Sequence, residues 1–463
     1  MKPQNFAFFV TILVFQQLIV KIFNMFKKVC FTIAVSVSSI AFSQSNVREK
    51  LSNYLDSLNI HHKIMGSFAF ADNNQTSFIK VVGLSDVEKK QKANMNTQYR
   101  IGSISKTFTA VLVMKAVEEK KLTLTTKLAQ FYPDVPNADK ITIENLLQHR
   151  SGIHNLTDEE EYMQYYTQTK TEKDLIDIIK NYKSDFNPGI KFEYSNSNYI
   201  LLGFILEKVY KKSYAELIKD KITKPLKLTL TEVGGKINSD KNQAKSYDYS
   251  NGKYNLSPET DMSIPRGAGN IISTPTELLK FILGLENGKL ITKESLKQMK
   301  NFSDNYGYGL VKVPFNEYSG YGHTGGIDEF RSFLYYFPDL KVAVASVTNQ
   351  SDYDNNQIAI NMLKAATGKD FQIPGFKTFT VSEKELQQYV GVYSAPGIPV
   401  KFNIFIENKQ LMAQATDQSA FPLEATSKNN FKFDAAEITV NFEPAKKQFV
   451  IIQSGIETVF TKE

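Results

Sequence analysis

Three short patterns in this chain carry side chains suited to acyl-transfer chemistry. A serine three residues ahead of a lysine occurs at Ser77/Lys80, Ser103/Lys106 and Ser250/Lys253. On a helix, positions i and i+3 share a face, so the lysine nitrogen sits beside the hydroxyl and can activate it as a nucleophile. On a strand the two positions point to opposite faces, which disables Ser77/Lys80 in its strand-like stretch. Ser250 lies in an Asn-Gly turn of a polar loop. Only Ser103 opens a long apolar run of helical spacing, FTAVLVMKAVEEKK, where a helix N-terminus favours negative charge on the serine oxygen.

Tyrosine two residues before asparagine also occurs three times, at Tyr194/Asn196, Tyr249/Asn251 and Tyr353/Asn355. The first lies between the Asn187-Pro188-Gly189 turn and an apolar helix beginning near Tyr199, while the other two fall in Asp/Asn-rich segments that read as solvated. A tyrosine beside a buried amine can hold or relay a proton, so Tyr194 matters if Lys106 is its neighbour. The third pattern is Tyr321-Gly322-His323-Thr324-Gly325-Gly326 ahead of a predicted strand. Its glycines permit close backbone approach, and a backbone amide there can face a developing oxyanion. His149 and His154 flank Ser151-Gly152 and read as hydrogen-bonded structural residues; His61-His62 reads as a surface pair.

These groups need a scaffold that brings distant segments together. The chain has 463 residues, 42% hydrophobic and 22% charged, which supports real cores and excludes wholesale disorder. Its single cysteine excludes a disulfide-stapled fold. Residues 66–84 read as a hairpin turning at Asp72-Asn73-Asn74, helices are predicted at 141–149, 172–182, 197–210 and 275–286, and 331–348 reads as two strands joined at Pro338-Asp339. Strands at both ends with helices between predict an α+β domain whose sheet is completed by sequence-distant segments. Near residue 370 the pattern changes to a short helix at 382–389 and then to period-two alternation. Turn-rich spacers at 407–409, 427–430 and 443–447 make 378–463 a separate small β-barrel or sandwich.

Taken in order, Ser103-X-X-Lys106, Tyr194-X-Asn196 and His323-Thr324-Gly325 are far more specific together than singly. Residues 46–366 resemble the serine β-lactamase-related hydrolases, the group of class C β-lactamases, D-Ala-D-Ala carboxypeptidases, D-aminopeptidases and related esterases. Supporting stretches are Leu146-Leu147-Gln148-His149-Arg150-Ser151-Gly152-Ile153, Pro188-Gly189, the run from Gly267 to Thr274, and Phe337-Pro338-Asp339. The resemblance implies an antiparallel sheet flanked by helices with a helical subdomain; the tail resembles a small lipocalin-like β domain.

Carried onto this sequence, the resemblance implies Ser103 as the acylated nucleophile and Lys106 as the group that lowers its proton affinity. Tyr194 acts as general base toward Ser103 or as acid toward the leaving group. Asn196 binds the substrate amide and orients Lys106, His323 and Thr324 line the opposite wall, and the backbone amides of Ser103 and Gly326 form the oxyanion hole beside Gly325. No cofactor or metal is implied: no His-Glu-X-X-His is present, and Asp352-X-Asp354-X-Asn356 lacks the glycine and glutamate of a calcium loop. Most β-lactamases have lysine where this chain has His323, and imidazole is mostly neutral at pH 7, which weakens carboxylate binding or makes it pH-dependent. A D-amino-acid peptidase, carboxypeptidase or esterase therefore ranks above a class C-like β-lactamase. A different class is a penicillin-binding sensor that is acylated without turnover. Glu329, where relatives often have glycine, is expected to narrow the cleft. The Tyr/Glu-rich loop at 158–166 is either a lid or a solvated connection, the second being preferred.

Charge completes the division of the chain. The net charge of +7 raises the question of a nucleic-acid or membrane partner, but Lys2, Lys21, Lys27 and Lys28 fall in the first 43 residues, which hold no acidic residue. Met25-Phe26-Lys27-Lys28, the run CFTIAVSVSSIAF and Ala41-Phe42-Ser43 read as a secretory signal with Met25 as true start. An uncleaved anchor and a pair of short membrane segments are the competing readings. The expected domains are 1–43 extension and signal peptide, 44–370 hydrolase, 371–377 linker and 378–463 β-barrel. Removing 1–43 lowers the net charge to +3 and takes the only cysteine with it. The product is exported, periplasmic or extracellular, or membrane-anchored if uncleaved. It takes a small-molecule or short-peptide substrate, without a nucleic-acid partner or stable membrane insertion.

Overall fold

Alternation of large and small apolar residues builds the central sheet of the larger domain. The computed structural model describes residues 46–463 apart from 377, 378, 380, 408, 417, 434, 435, 437, 454 and 455, so the expected signal peptide lies outside the described residues. The strands are β1 (Ile64–Asp72), β2 (Gln75–Val82), β3 (Val311–Phe315), β4 (Tyr318–Ile327), β5 (Phe330–Phe337) and β6 (Val342–Ser351). They form one sheet in the order β3-β4-β5-β6-β1-β2. Every neighbouring pair is antiparallel, with Phe68 opposite Ser346 and Leu334 opposite Ala345. The sheet is thus completed by segments almost 300 residues apart in sequence, as the paired β1 and β6 show.

Because side chains alternate along a strand, each face of the sheet has its own core. Phe68, Phe70, Phe333 and Val344 meet a helix at residues 46–60 (α1) and the helix Asn355–Ala366 (α5). Ala69, Ala71, Ala343 and Ala345 face the other way, and their small size lets helices approach closely. That second core holds α2 (Ser105–Glu118), α3 (Asn196–Tyr210) and α4 (Pro275–Glu286), with Phe108 of α2 stacked on Phe281 of α4 at 3.7 Å between centroids. α2 is buried around almost its whole circumference, from Ser105 to Met114, in keeping with its run of apolar residues. Among the described residues no helix is long and apolar enough to cross a membrane.

The tail forms a closed barrel of eight strands, from Gly391–Ala395 to Ile456–Lys462, sealed where Tyr393 pairs with Lys462. Closure decides between the barrel and the sandwich that the alternation allowed. Eight strands leave an interior about wide enough for side chains alone or for one small ligand. Here aromatic rings occupy it: Phe449 stacks on Phe460 at 5.2 Å and meets Tyr393 at 4.9 Å, while Tyr393 donates its hydroxyl to the Tyr389 carbonyl at 2.8 Å. The barrel is anchored to the sheet domain through Lys63, whose side chain is 8% exposed and whose ammonium binds Asp352 at 2.9 Å and Glu424 of the barrel. Phe371, at the start of the connection, is buried against Tyr54 of α1.

Candidate active site

The serine turn is laid directly on strand β4, and two missing side chains allow it. Ser103 lies in a single 3-10 turn, Gly102–Ile104, that leads into α2, so the helix proper begins two residues after the serine. Gly102 has φ +50°, and a Cβ there would stand 2.7 Å from the Gly326 nitrogen; a Cβ at Gly325 would stand 2.1 Å from the Ile101 carbonyl oxygen. Ser332 of β5 donates to that same carbonyl at 2.8 Å. The Tyr321–Gly326 motif lies inside β4 and not ahead of a strand, with Gly326 opposite Arg331.

Lys106 sits one helical turn along from Ser103 and is fully buried. Its Nζ stands 2.9 Å from Ser103 Oγ, 2.7 Å from Asn196 Oδ1 and 2.9 Å from the Ala268 carbonyl oxygen. Burial holds its pKa well below the ordinary lysine value, which favours the neutral amine. A neutral amine has two N–H donors and one lone pair. Asn196 Oδ1 and the Ala268 carbonyl can only accept, so they take the two donors and the lone pair is left for the Ser103 hydroxyl proton. Tyr194 donates its own hydroxyl to Ser103 Oγ at 2.9 Å, and burial raises its pKa, which keeps the phenol protonated.

Asn196 opens α3 and is held from behind. Its backbone N–H donates to Asn155 Oδ1 at 2.9 Å and its Nδ2 donates to Thr157 Oγ1 at 3.1 Å, which turns Oδ1 toward Lys106. Residues 149–155 therefore support the tyrosine segment, and the Glu193 N–H also bonds the His149 carbonyl at 2.9 Å. Asn155 and Thr157 were not singled out from the sequence, because nothing local marks them as neighbours of Asn196.

His149 is a buried, hydrogen-bonded residue, in line with its sequence context: its ring packs on Tyr194 with centroids 4.3 Å apart, and it belongs to a directed chain of hydrogen bonds. The Ser195 backbone N–H, which can only donate, bonds His149 Nδ1 at 3.1 Å. The proton of His149 is then on Nε2, which donates to Tyr306 Oη at 3.2 Å. At the far end the Thr324 carbonyl, which can only accept, lies 2.6 Å from His323 Nδ1 and places that ring's proton there. His323 Nε2 is left as acceptor for the Tyr306 hydroxyl at 3.0 Å. Burial, with the Lys106 charge as a lesser cause, lowers the His323 pKa from 6.5 to about 3. The alternation of β4 turns His323 inward and leaves Thr324 and Gly326 exposed, so of the expected wall residues only Thr324 is on the open side. His154 pairs with Asp185 at 2.9 Å and Glu159 at 2.8 Å, and the exposed His62 stacks on Tyr249 at 4.4 Å.

A cleft of about 500 Å³ opens at Ser103 and Gly326. Tyr162, Met163 and Tyr166 line it, so the segment at 158–166, solvent-exposed along much of its length, contributes one wall of the cleft. Glu329 also lines it, as expected from its position. Behind this wall is Arg100, 1% exposed, which joins Asp328 at 2.8 Å, Glu259 at 3.2 Å and the carbonyls of Thr260 at 2.9 Å and Gly235 at 3.0 Å. Three residues ahead of Ser103 in sequence, it ties the nucleophile segment to the β4–β5 turn. All cleft-lining residues fall between 103 and 329, so among the described residues the barrel contributes none.

A serine hydroxyl shared by a buried lysine and a tyrosine, set on a helix start against an antiparallel strand, defines a serine hydrolase. The chain belongs to the beta-lactamase family, whose profile matches residues 51–369. It is 30% identical over 320 residues to the teichoic acid D-alanine hydrolase of Staphylococcus aureus, covering 67% of this chain and 75% of that protein. Among solved structures, the D-amino acid amidase of Ochrobactrum anthropi SV3 covers 70% of this chain and 99% of its own, with a TM-score of 0.62 at 21% identity. The octameric penicillin-binding protein homologue of Pyrococcus abyssi covers 89% of this chain and 99% of its own, with a TM-score of 0.63 at 23% identity. At these identities the two structures establish the shared fold. A D-stereospecific amidohydrolase from Streptomyces sp. matches with a TM-score of 0.59 at 25% identity over 70% of this chain and 98% of its own.

Proposed function

We propose that this protein hydrolyses small esters or amides of D-amino acids through an acyl-Ser103 intermediate. The observation that carries the reading is Ser103 Oγ, placed 2.9 Å from both Lys106 Nζ and Tyr194 Oη. The Lys106 lone pair takes the serine proton as Oγ attacks the substrate carbonyl carbon. The oxyanion so formed is met by the backbone N–H groups of Ser103 and Gly326. When the tetrahedral species collapses, the bond to the leaving group breaks and that group takes the Tyr194 proton; the ammonium on Lys106 returns a proton to the phenolate. Water repeats the sequence on the acyl-enzyme and releases the acid. Between the two roles open to Tyr194, burial favours the acid, since a phenolate in that site is strongly penalised. The names of the relatives support D-configured substrates.

Intact-mass spectrometry during turnover of a D-alanine ester tests this reading. A transient adduct on Ser103 that is absent in Ser103→Ala supports it, and unchanged hydrolysis by Ser103→Ala overturns it. A stable adduct without turnover assigns the chain to acylation sensing instead. The domain division at 370–378 and export through residues 1–43 belong to the same proposal. Sequencing the N-terminus of the mature protein checks the latter, with Gln44 expected first.

A further inference from the structure

The wall that faces the substrate is unusual in its charge. Among the described residues that line the cleft there is no lysine, arginine or histidine, whereas Asp328 and Glu329 both reach it. The two nitrogenous groups nearest the serine do not make up for this. Lys106 is fully buried, with its nitrogen engaged by Asn196, the Ala268 carbonyl and Ser103 itself. His323 is neutral and has both nitrogens committed inside the protein, to Tyr306 and the Thr324 carbonyl. A second proton on His323 Nε2 would force out the Tyr306 hydroxyl proton, leaving that buried donor without its acceptor.

The two carboxylates differ in what they have to spare. Asp328 is consumed by Arg100 at 2.8 Å and by the backbone N–H and hydroxyl of Thr260 at 2.9 and 2.7 Å. Glu329 is half-buried and, among the described residues, its carboxylate meets only Arg331 Nη2 at 3.5 Å, the edge of hydrogen-bond range. Burial and the charges of Asp248 and Asp328 raise its pKa against the pull of Arg331, so a cation from the substrate would relieve that environment.

We propose that the cleft selects its substrates by charge: Glu329 receives a free ammonium on the acyl group, and a leaving group that carries a carboxylate is rejected, because no cation lines the cleft and Arg331, beside Glu329, is held by the Asp328 and Phe330 carbonyls. The inference rests on the acyl-Ser103 reading and narrows it to D-aminoacyl esters and amides with an unblocked amine and an uncharged leaving group. N-acylated donors and D-dipeptides with a free C-terminus fall outside that class.

Four substrates test it on the mature protein: D-alanine p-nitroanilide, its N-acetyl derivative, D-alanyl-D-alaninamide and D-alanyl-D-alanine. The expected kcat/KM is at least about tenfold higher for the free amine than for the N-acetyl compound, and at least about tenfold higher for the dipeptide amide than for the dipeptide acid, the scale of one charge-assisted hydrogen bond. In Glu329→Gln the first ratio falls by about tenfold, with Glu329→Asp keeping part of it. Equal ratios in the native enzyme, or a first ratio unmoved in Glu329→Gln, would overturn the proposal. If all four substrates acylate Ser103 without preference, charge selection fails while the hydrolase reading stands. If none acylates Ser103, both fail.

Discussion

Tyr306 gives its hydroxyl proton to His323 Nε2 at 3.0 Å while receiving one from His149 Nε2 at 3.2 Å, so a single phenol links two buried histidines. The direction is dictated at both ends by backbone groups, the Ser195 N–H and the Thr324 carbonyl. His149 in turn packs against the Tyr194 ring, which places this chain behind the proton donor to Ser103. Tyr306 touches no reacting atom and acts as a positioning residue.

Tyr306→Phe keeps the ring and removes both hydrogen bonds. The expected outcome is a several-fold fall in kcat with KM little changed. Steady-state kinetics of the two enzymes checks this split, and an unchanged kcat in the variant would refute the positioning role.

Stability should depend on pH through the same pair. Burial lowers the pKa of both His149 and His323, the latter from 6.5 to about 3. Between those values the unfolded chain binds more protons than the folded one, so stability is complete above about pH 6.5 and declines as the pH falls toward 3. His154, whose pKa is raised by Asp185 and Glu159 against desolvation, contributes with the opposite sign. Two histidines against one predict a lower urea midpoint at pH 5 than at pH 7.5, and equal midpoints would contradict the assignment.

The base assignment makes a sharper demand. Lys106 must be neutral to take the serine proton, so activity is present above its lowered pKa and is lost as the pH falls through it. Lys106→Arg installs a group that stays protonated, and kcat should drop by about a hundredfold or more at every pH. Near-normal turnover in that variant would transfer the base role to Tyr194. Tyr194→Phe, by removing the acid, is expected to cost at least about tenfold in kcat, with the larger loss for the poorer leaving group.

What was legible in the sequence was what sits on one element. Ser103 and Lys106 are one helical turn apart, and the Asp72-Asn73-Asn74 turn announces the β1–β2 hairpin. Tyr306, Asn155 and Arg100 act only across the fold, on partners that neither periodicity nor turn chemistry can pair with them. Other features had a local signal that went unread. Val47, Leu51, Tyr54, Leu55 and Leu58 repeat at helical spacing and bury α1 against the sheet. Asp354, read as part of a solvated stretch, caps α5 by accepting from the N–H groups of Asn356 at 2.9 Å and Gln357 at 3.1 Å. Tyr162, Met163 and Tyr166 likewise bring apolar surface to the cleft wall, although no residue of the short helix Tyr162–Tyr165 is fully buried.

Arg100 offers a test that separates architecture from chemistry. Its side chain and that of Asp328 are each 1% exposed, and the guanidinium also holds Glu259 and two carbonyls, so a neutral replacement strands a buried carboxylate and several acceptors at once. Arg100→Met should cost about 3–5 kcal/mol of stability, the usual penalty for unpairing a buried charge. Arg100→Met/Asp328→Leu should recover much of that loss, because the orphaned charge is gone. Denaturant melts of the two variants measure the difference. Recovery of stability with kcat/KM still depressed would show that the bridge also holds the β4–β5 turn, and with it the cleft wall, in register with Ser103. If the double variant is no more stable than the single one, the pair is not an energetically coupled buried bridge.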